Sequence, residues 1–336
     1  MLRFVATRVL AAIPVLLILS IVTFAIIKAQ PGDYADYLKS QLMMQGNMPN
    51  AQAQEQADAY REAHGMLGPL PVQYFNWITG IVTRFDFGDS FYYNKPVGTV
   101  VSERLGRTLL LALTCHVLAS ICGITLGIVA ATRQYSWVDT LFGFISFLGM
   151  TIPRFLLAII IIYVLAFQLN VQEIGSFFSA RYGGAPWSWA KFVDLVQHIW
   201  PVVFIATFGG LAYNMRVMRG NLLDVLKAQY VETARAKGLR ESTVVMRHAV
   251  PNALHPLIAY QGVVLPYMLT GEIEVAIVFG LPTVGPAIVG SLNVGDVWVT
   301  ATFMMVIAAA LIIGNIISDI LLALLDPRIR LGGDAS

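Results

Sequence analysis

The sequence predicts an all-α membrane protein of six transmembrane helices, and three observations carry the prediction. Of 336 residues, 57% are hydrophobic. Only 12% are charged, where ordinary soluble domains carry about 25%. The apolar residues also gather into runs of span length, since crossing ~30 Å of hydrocarbon at 1.5 Å per residue takes about 20 residues. The runs lie near residues 9–29, 104–131, 140–168, 198–219, 253–279 and 298–325. A soluble protein with a large core is the rival reading, but its helices would show a polar face, and these mostly do not.

The run at 9–29 is longer than the apolar region of a secretory signal, and no A-x-A site follows it before "QPGD". It reads as an uncleaved first span, closing a segment 1–30. Residues 31–99 then form a small extracytoplasmic subdomain. Its segment "MMQGNMPNAQAQEQADAYREAHG" is rich in Gln, Asn and Ala, and predicts a helix from Ala51 to Ala63. In "GPLPVQYFNWITGIVTRFDFGDSF", Tyr74, Phe75 and Trp77 suit a helix lying at the membrane surface, where amphipathic rings are favoured.

Residues 100–330 are the core. The second span carries Cys115 and Cys122, seven residues and so ~10 Å apart along one helix, too far for a disulfide. They read as small packing residues. "GITLG", Gly123 to Gly127, fits the small-xxx-small pattern of close helix packing, a pattern that also arises often by chance. In the third span, "TIPRFLLA" places Pro153 where it removes a helix hydrogen bond and kinks the chain. Arg154 follows near the middle of the run, where a cation costs at least ~2.5–3.5 kcal/mol, so it should face a cavity or a partner. "SARYGGAPWSWAKF" makes an interfacial connection to the fourth span. In the fifth, "TGEIEVAIVFGLPTVG" sets Glu272 and Glu274 near the outer end, at a spacing that puts them on different helix faces.

Charge orients these spans. Arg3, Arg8, Arg133, Arg216, Arg219, Lys227, Arg235, Lys237, Arg240, Arg247, Arg328 and Arg330 cluster in alternate connections, which the positive-inside rule puts in the cytoplasm. Both termini are then cytoplasmic, as an even number of spans requires.

No Gly-Lys dipeptide occurs, so no phosphate loop of the G-x-x-x-x-G-K-[ST] type exists, and neither H-E-x-x-H nor G-x-S-x-G is present. The most basic connection, 220–252 between spans four and five, contains the polar stretch "ETARAKGL": Glu232, Thr233, Ala234, Arg235, Ala236, Lys237, Gly238 and Leu239. Glu232 favours a helix start and Gly238 a helix end. A helix this short is marginal in water by itself, and its small residues would let another protein approach closely. A plain loop whose cations set topology is the other reading of composition alone.

"YVETARAKGLRESTVVMRHAVPNALHPLI" resembles the E-A-A-x3-G loop of permease subunits of bacterial ABC importers. "RAKGL" followed by "RHA-x-x-NA" is similar to the peptide and nickel permease subfamily. "MLRFVATRVLAAIPVLLILSIVTFAIIKAQPGD", "GPLPVQYFNWI", "FGDSF" and "VVSERLGRTLLLAL" resemble the B-type dipeptide and oligopeptide permeases, so the likeness covers nearly the whole chain.

The resemblance implies a type I ABC importer permease fold in the cell inner membrane, forming the translocation pathway for peptides or peptide-like solutes. It implies a homologous second permease, two ABC ATPase subunits that hold the ATP and Mg this chain does not bind, and an extracytoplasmic solute-binding protein. The lipid bilayer surrounds the chain, and nucleic acid is not a partner. Glu232 to Leu239 become a coupling helix, with Glu232, Thr233, Ala234 and Gly238 docking on the ATPase. Thr233 departs from the usual Ala. Ala276 stands where the family has Glu, Thr283 replaces a Gly, Asp296 matches a family Asp, and position 154 is more often small or polar. The departures leave an opine, glycoside or nickel chelate open as cargo. Arg154, with Pro153, is expected on the pathway, either favouring anionic cargo or pairing with a partner-subunit carboxylate. Glu272 and Glu274 are expected there too or at the outer surface. An ion-coupled secondary transporter is the more distant alternative, against which the absence of a visible repeat argues.

Overall fold

A helix-forming, apolar chain with few strand signals gives a structure that is almost entirely helical. The computed structural model describes residues 2–29, 32–46, 48–63, 66–171, 173–260, 264 and 273–325. The chain forms two compact units, Met1–Arg107 with Thr283–Ile312, and Thr108–Pro282 with Ile313–Ser336.

In the first unit, α1 (Leu2–Lys28) is apolar, and Leu10, Ile18 and Ile26 are exposed along it. The connection after it is structured. α2 (Tyr34–Gln45) opens with a reciprocal cap, in which the Asp33 carboxylate accepts from the Asp36 N–H and Asp36 accepts from the Asp33 N–H. α3 (Asn50–Ala63) lies where the Ala-rich segment predicts a helix. It pairs with α2 through small buried residues, among them Ala35, Ala53 and Ala57. Arg61 fastens the pair by donating to Asp33 at 2.8 Å, Asp36 at 2.6 Å and Asp58 at 2.8 Å, which holds the Asp33 carboxyl below its ordinary range despite partial burial.

α4 (Leu70–Arg84) carries the aromatic cluster that the sequence assigns to a membrane-surface helix, and the structure shows what those rings pack on within the chain. Phe75 is exposed, but Trp77 is buried between Phe24 and Trp298, with ring centroids 6.0 and 6.2 Å away. Tyr74 meets Ser20 Oγ at 2.7 Å. The i, i+3 spacing of Tyr74 and Trp77 turns both rings onto α1, so packing claims two of the three.

A short hairpin, β1 (Asp89–Ser90) antiparallel to β2 (Lys95–Pro96), leads into α5 (Val97–Thr132). The unit closes with α13 (Val284–Asn293) and the start of α14 (Val297–Leu325), around a core of Val97, Val100, Val284, Val299 and Phe303. Between α13 and α14, Asp296 is fully buried. It accepts the Ser90 hydroxyl at 2.7 Å and the Tyr92 N–H at 3.1 Å, both through Oδ2, and burial pushes its pKa up.

The second unit is built on α8 (Trp189–Val225). α5 crosses it where a Cβ at Gly123 would stand 2.6 Å from the Leu211 carbonyl oxygen, and one at Gly127 2.8 Å from that of Met215. The weak "GITLG" signal therefore marks a contact in which only glycine fits. α6 (Trp137–Thr151) packs antiparallel on α8: a Cβ at Gly149 would meet Ala212 Cβ at 2.7 Å, and Ser146 donates to the Ala212 carbonyl at 2.8 Å.

The expected third span is not one kinked helix. α6 ends at Thr151, α7 (Arg154–Tyr163) runs on into a π-helical turn, Val164–Gln168, and the two parts meet at 96°. Pro153 forces the extended conformation on Ile152 (φ −77°, ψ 122°), which ends α6, and Pro153 then caps α7.

Beyond α8 come α9 (Gln229–Ala236), α10 (Glu241–Thr243), a π-helical segment Val244–Ala249, α11 (Val250–Ala253), helical residues 255–260 and α12 (Ile273–Val278). Among the described residues, α5, α8 and α14 over Val297–Ile317 are long and apolar enough to cross a membrane, and α6 with α7 adds a fourth if counted as one bent span. The expected fifth span, 253–279, falls partly outside the described residues, and Glu272 lies there.

Candidate functional sites

The connection after α8 forms the first site. Residues 226–228 turn the chain, and α9 follows with no side-chain cap. It is held because Val231 and Ala234, one turn apart, sink into a cluster with Met218, Leu222, Val244, Val245 and Ala249. Local propensity is too weak for so short a helix, so burial of this face is what stabilises it.

Ala234 is only 4% exposed, so its side chain supports α9 from within the chain and is not on the surface that the sequence reading offered to a partner. The outward face is made instead by Tyr230, Glu232, Thr233, Arg235, Ala236 and Lys237, all exposed. Thr233 donates its hydroxyl back to the Gln229 carbonyl of its own helix at 2.8 Å, which is how it can stand in for an alanine without an unsatisfied polar group. Gly238 has φ +73°, with no atom within 4 Å of where a Cβ would lie, and Leu239 beyond it is exposed. The left-handed backbone there, not space, is what calls for glycine.

Arg235 locks the end of α9. It pairs with Glu241 at 2.8 Å and donates to the Leu226 carbonyl at 3.2 Å, tying both flanks together. The guanidinium holds the Glu241 carboxyl below its ordinary range.

Behind this connection, the Asp139 carboxylate of α6 takes a bidentate pair from Arg219 of α8 at 2.6 and 2.8 Å, and accepts the Tyr135 N–H at 3.0 Å. Sequence reasoning treated Arg219 as a topology-setting cation only. The packing of α6 along α8 gives it a structural partner.

A cavity of about 440 Å³ in the same unit forms the second site. Arg154, the first residue of α7, lines it, with its guanidinium laid against the α8 backbone: a Cβ at Gly209 would sit 3.1 Å from Nε. The break at Pro153 aims the cation, because α7 starts at that residue and turns away from α6. Pro153 itself is exposed beside the cavity. Glu274 is exposed on α12 and does not line it. Of the described residues expected on a pathway, Arg154 alone lines this cavity, and Glu272 lies outside the described residues.

The other polar lining residues were not singled out from sequence. Asn214 and His116 face the cavity, as do Tyr213 and Tyr260, whose ring centroids are 4.9 Å apart. One signal could have found Asn214: it is the sole carboxamide within the apolar run at 198–219.

Comparison with known proteins covers nearly the whole chain. Residues 123–331 match the family model described as the binding-protein-dependent transport system inner membrane component, and residues 1–112 match the model of the N-terminal part of such membrane components. The oligopeptide transport system permease protein AppB of Bacillus subtilis (strain 168) is 34% identical over 331 residues, covering 98% of this chain and 100% of the relative. A putative peptide permease protein of Brucella suis biovar 1 (strain 1330) is 33% identical over 332 residues, covering 98% and 99%. The dipeptide transport system permease protein DppB of Lactococcus lactis subsp. cremoris (strain MG1363) is 32% identical over 278 residues, covering 82% and 86%.

Proposed function

This chain belongs to the family of inner-membrane components of binding-protein-dependent transport systems, and from that premise we propose that it is the permease subunit of an ABC importer for peptides. The observation that carries the proposal is the match of both family models along the chain, together with full-length relatives named as peptide permeases.

The finer organisation follows the same reading. Six spans cross the inner membrane: α1, α5, α6 with α7, α8, the segment 253–279, and α14. Both termini are cytoplasmic, and residues 31–99 form the extracytoplasmic subdomain. A homologous second permease completes the pathway. Two ATPase subunits bind and hydrolyse ATP, and a solute-binding protein delivers cargo from outside.

Coupling runs through α9. Its outward face, with Glu232, Thr233, Arg235, Ala236, Lys237, Gly238 and Leu239, docks in a groove on the ATPase, and Ala234 supports it from behind. Closure of the ATPases on ATP moves α9, and α8 and the fifth span carry the motion into the pathway. The ATPase can drive this only because its two states contact α9 differently. Arg154 is the pathway cation that favours carboxylate-bearing cargo, with Pro153 holding it in place. Glu272 and Glu274 belong to the outer surface, where headgroups or the binding protein meet the chain.

The test is to purify the tagged full chain from membranes in mild detergent and ask whether an ATPase accompanies it. Gly238→Val should leave that complex assembled and abolish substrate-stimulated ATP hydrolysis, because a branched residue cannot take φ +73° without moving the end of α9. Unchanged coupling in an assembled Gly238→Val complex would refute the docking assignment. A chain that never copurifies with an ATPase would refute the importer reading.

A further inference from the structure

Two cations one turn apart on α8 are treated differently by the fold. Arg219 has a carboxylate of its own, the bidentate Asp139. Arg216 is exposed, and among the described residues its partner is a thioether, with Nη1 3.9 Å from Met150 Sδ. A thioether is a weak acceptor and neutralises no charge.

The charge pattern of the sequence counts Arg216 among the topology-setting cations, but its head group does not sit at the border of the span. Met150 lies ~20 Å along α6 from the helix start at Trp137, so the guanidinium touching it is held well inside the ~30 Å hydrocarbon thickness. A charge at that depth needs a wet cavity or a partner. The face of α8 points to the cavity. Gly209, Tyr213 and Arg216 stand at i, i+4 and i+7, and seven residues return an α-helix to within ~20° of its starting direction, so the three share one face. Gly209 and Tyr213 line the 440 Å³ cavity, as does Met150. Arg216, nearer the α9 end, lines a second cavity of about 640 Å³ with Phe142, Gly143 and Phe147 of α6. A wall of the first cavity thus touches the cation of the second.

Resting on the reading of the chain as a peptide permease, we propose that the pathway runs on from the first cavity into the second, and that Arg216 is its inward cation, taking the carboxylate of the cargo as it leaves toward the cytoplasm. Phe142, Gly143 and Phe147 offer no competing charge, so the site reads the carboxylate and leaves the rest of the cargo free. The thioether contact suits passage, because a resident acid would hold the cation against every cargo, as Asp139 holds Arg219. Pairing with an acid of the second permease is the rival account.

The experiment uses the assembled complex, with its binding protein, in proteoliposomes. Trialanine and its C-terminal amide are offered in turn, and uptake by each variant is expressed relative to wild type, so that selection by the binding protein cancels. Arg216→Gln should lower trialanine uptake about three- to tenfold more than amide uptake, the worth of one charge-assisted contact in a wet site, and Arg216→Lys should stay close to wild type. Gly143→Glu sets a resident acid in the same cavity, where no atom stands within 4 Å of an added Cβ. It should reproduce the glutamine result, and serves if the arginine variants do not assemble. In the assembled Arg216→Cys complex, peptide mass spectrometry should show the introduced thiol reacting with the water-soluble anion sulfonatoethyl methanethiosulfonate, and trialanine should slow that reaction. A change equal for both peptides, or a thiol that lipid or the second permease shields from the reagent, overturns the inference and leaves the permease reading intact. An assembled, ATP-hydrolysing complex that takes up neither peptide overturns the peptide reading itself, and the inference with it.

Discussion

Replacing Asp296 tests the buried latch between the hairpin and the start of α14. In Asp296→Ala, the Ser90 hydroxyl and the Tyr92 N–H lose the acceptor they share. Ser90 is itself buried, so its hydroxyl has no water to turn to. At about 1–3 kcal/mol for each unsatisfied group, the cost is about 2–6 kcal/mol. Asp296→Asn keeps the side-chain volume and one oxygen. Both donors converge on one oxygen, so the carboxamide can still serve them while giving up the 3.5 Å contact of the Val299 N–H with the other oxygen, about 1–2 kcal/mol in all.

The pH dependence separates the variants further. Burial raises the Asp296 pKa above its unfolded value, so its contribution is fully present below the unfolded carboxylate range. That contribution is lost as pH rises through the folded value. The wild type should therefore exceed Asp296→Asn by more at mildly acidic pH than at neutral pH. Thermal unfolding of the detergent-solubilised full chain, followed by tryptophan fluorescence, reads all three proteins. Taking roughly 2 °C per kcal/mol at this chain length, Asp296→Ala should melt about 4–12 °C lower and Asp296→Asn no more than about 4 °C lower. Equal losses in the two variants would refute the hydrogen-bond account and leave only the volume of the side chain as cause.

Two further substitutions probe the second unit. Arg219→Met strands the Asp139 carboxylate, which is buried beneath the pair, and should cost about 3–5 kcal/mol, whereas the double variant Arg219→Met with Asp139→Leu should recover most of it in the same melting assay. Gly123→Ala sets a methyl 2.6 Å from a backbone oxygen of α8 and should lower stability by about 1–3 kcal/mol. Gly143→Ala, where nothing stands within 4 Å, should be neutral or slightly stabilising, and a matching loss there would refute the close-packing account.

Much of this arrangement is legible in the sequence because hydrocarbon imposes one rule on every spanning segment. Apolar length marked α5, α8 and α14 without any knowledge of their neighbours. The helical stretch from Ala51 to Ala63 was readable from composition, and the left-handed end of α9 from Gly238. What sequence could not reveal depends on contacts between distant residues. Pro153 announces a disturbance, but whether a helix bends a little or turns by 96° is decided by what α7 finds to pack against. Tyr74 and Trp77 read equally well as interface rings or as core, and only the presence of Phe24 and Trp298 decides. Ala234 looks like a contact residue because it is small, yet the same smallness lets it seat against Val244 and Val245. Asn214 gave one weak signal, a carboxamide amid apolar neighbours, and its meaning needed the cavity.

The glycine contacts on α8 have a mechanical consequence. Where a helix touches its neighbours through side chains, rotamers can yield and absorb small displacements. At Gly123, Gly127 and Gly149 the backbone of one helix rests directly on the backbone or Cβ atoms of another, and nothing compressible lies between. α5, α6 and α8 are therefore geared to move as one body around these contacts, and on the proposed coupling a push delivered at the α9 end of α8 reaches them through backbone rather than side chains. At 37 residues α8 is ~55 Å long, so each degree of tilt displaces one end relative to the other by about 1 Å. On the proposed coupling, the short helix that follows it is the handle of a lever, with the play taken out of its bearings.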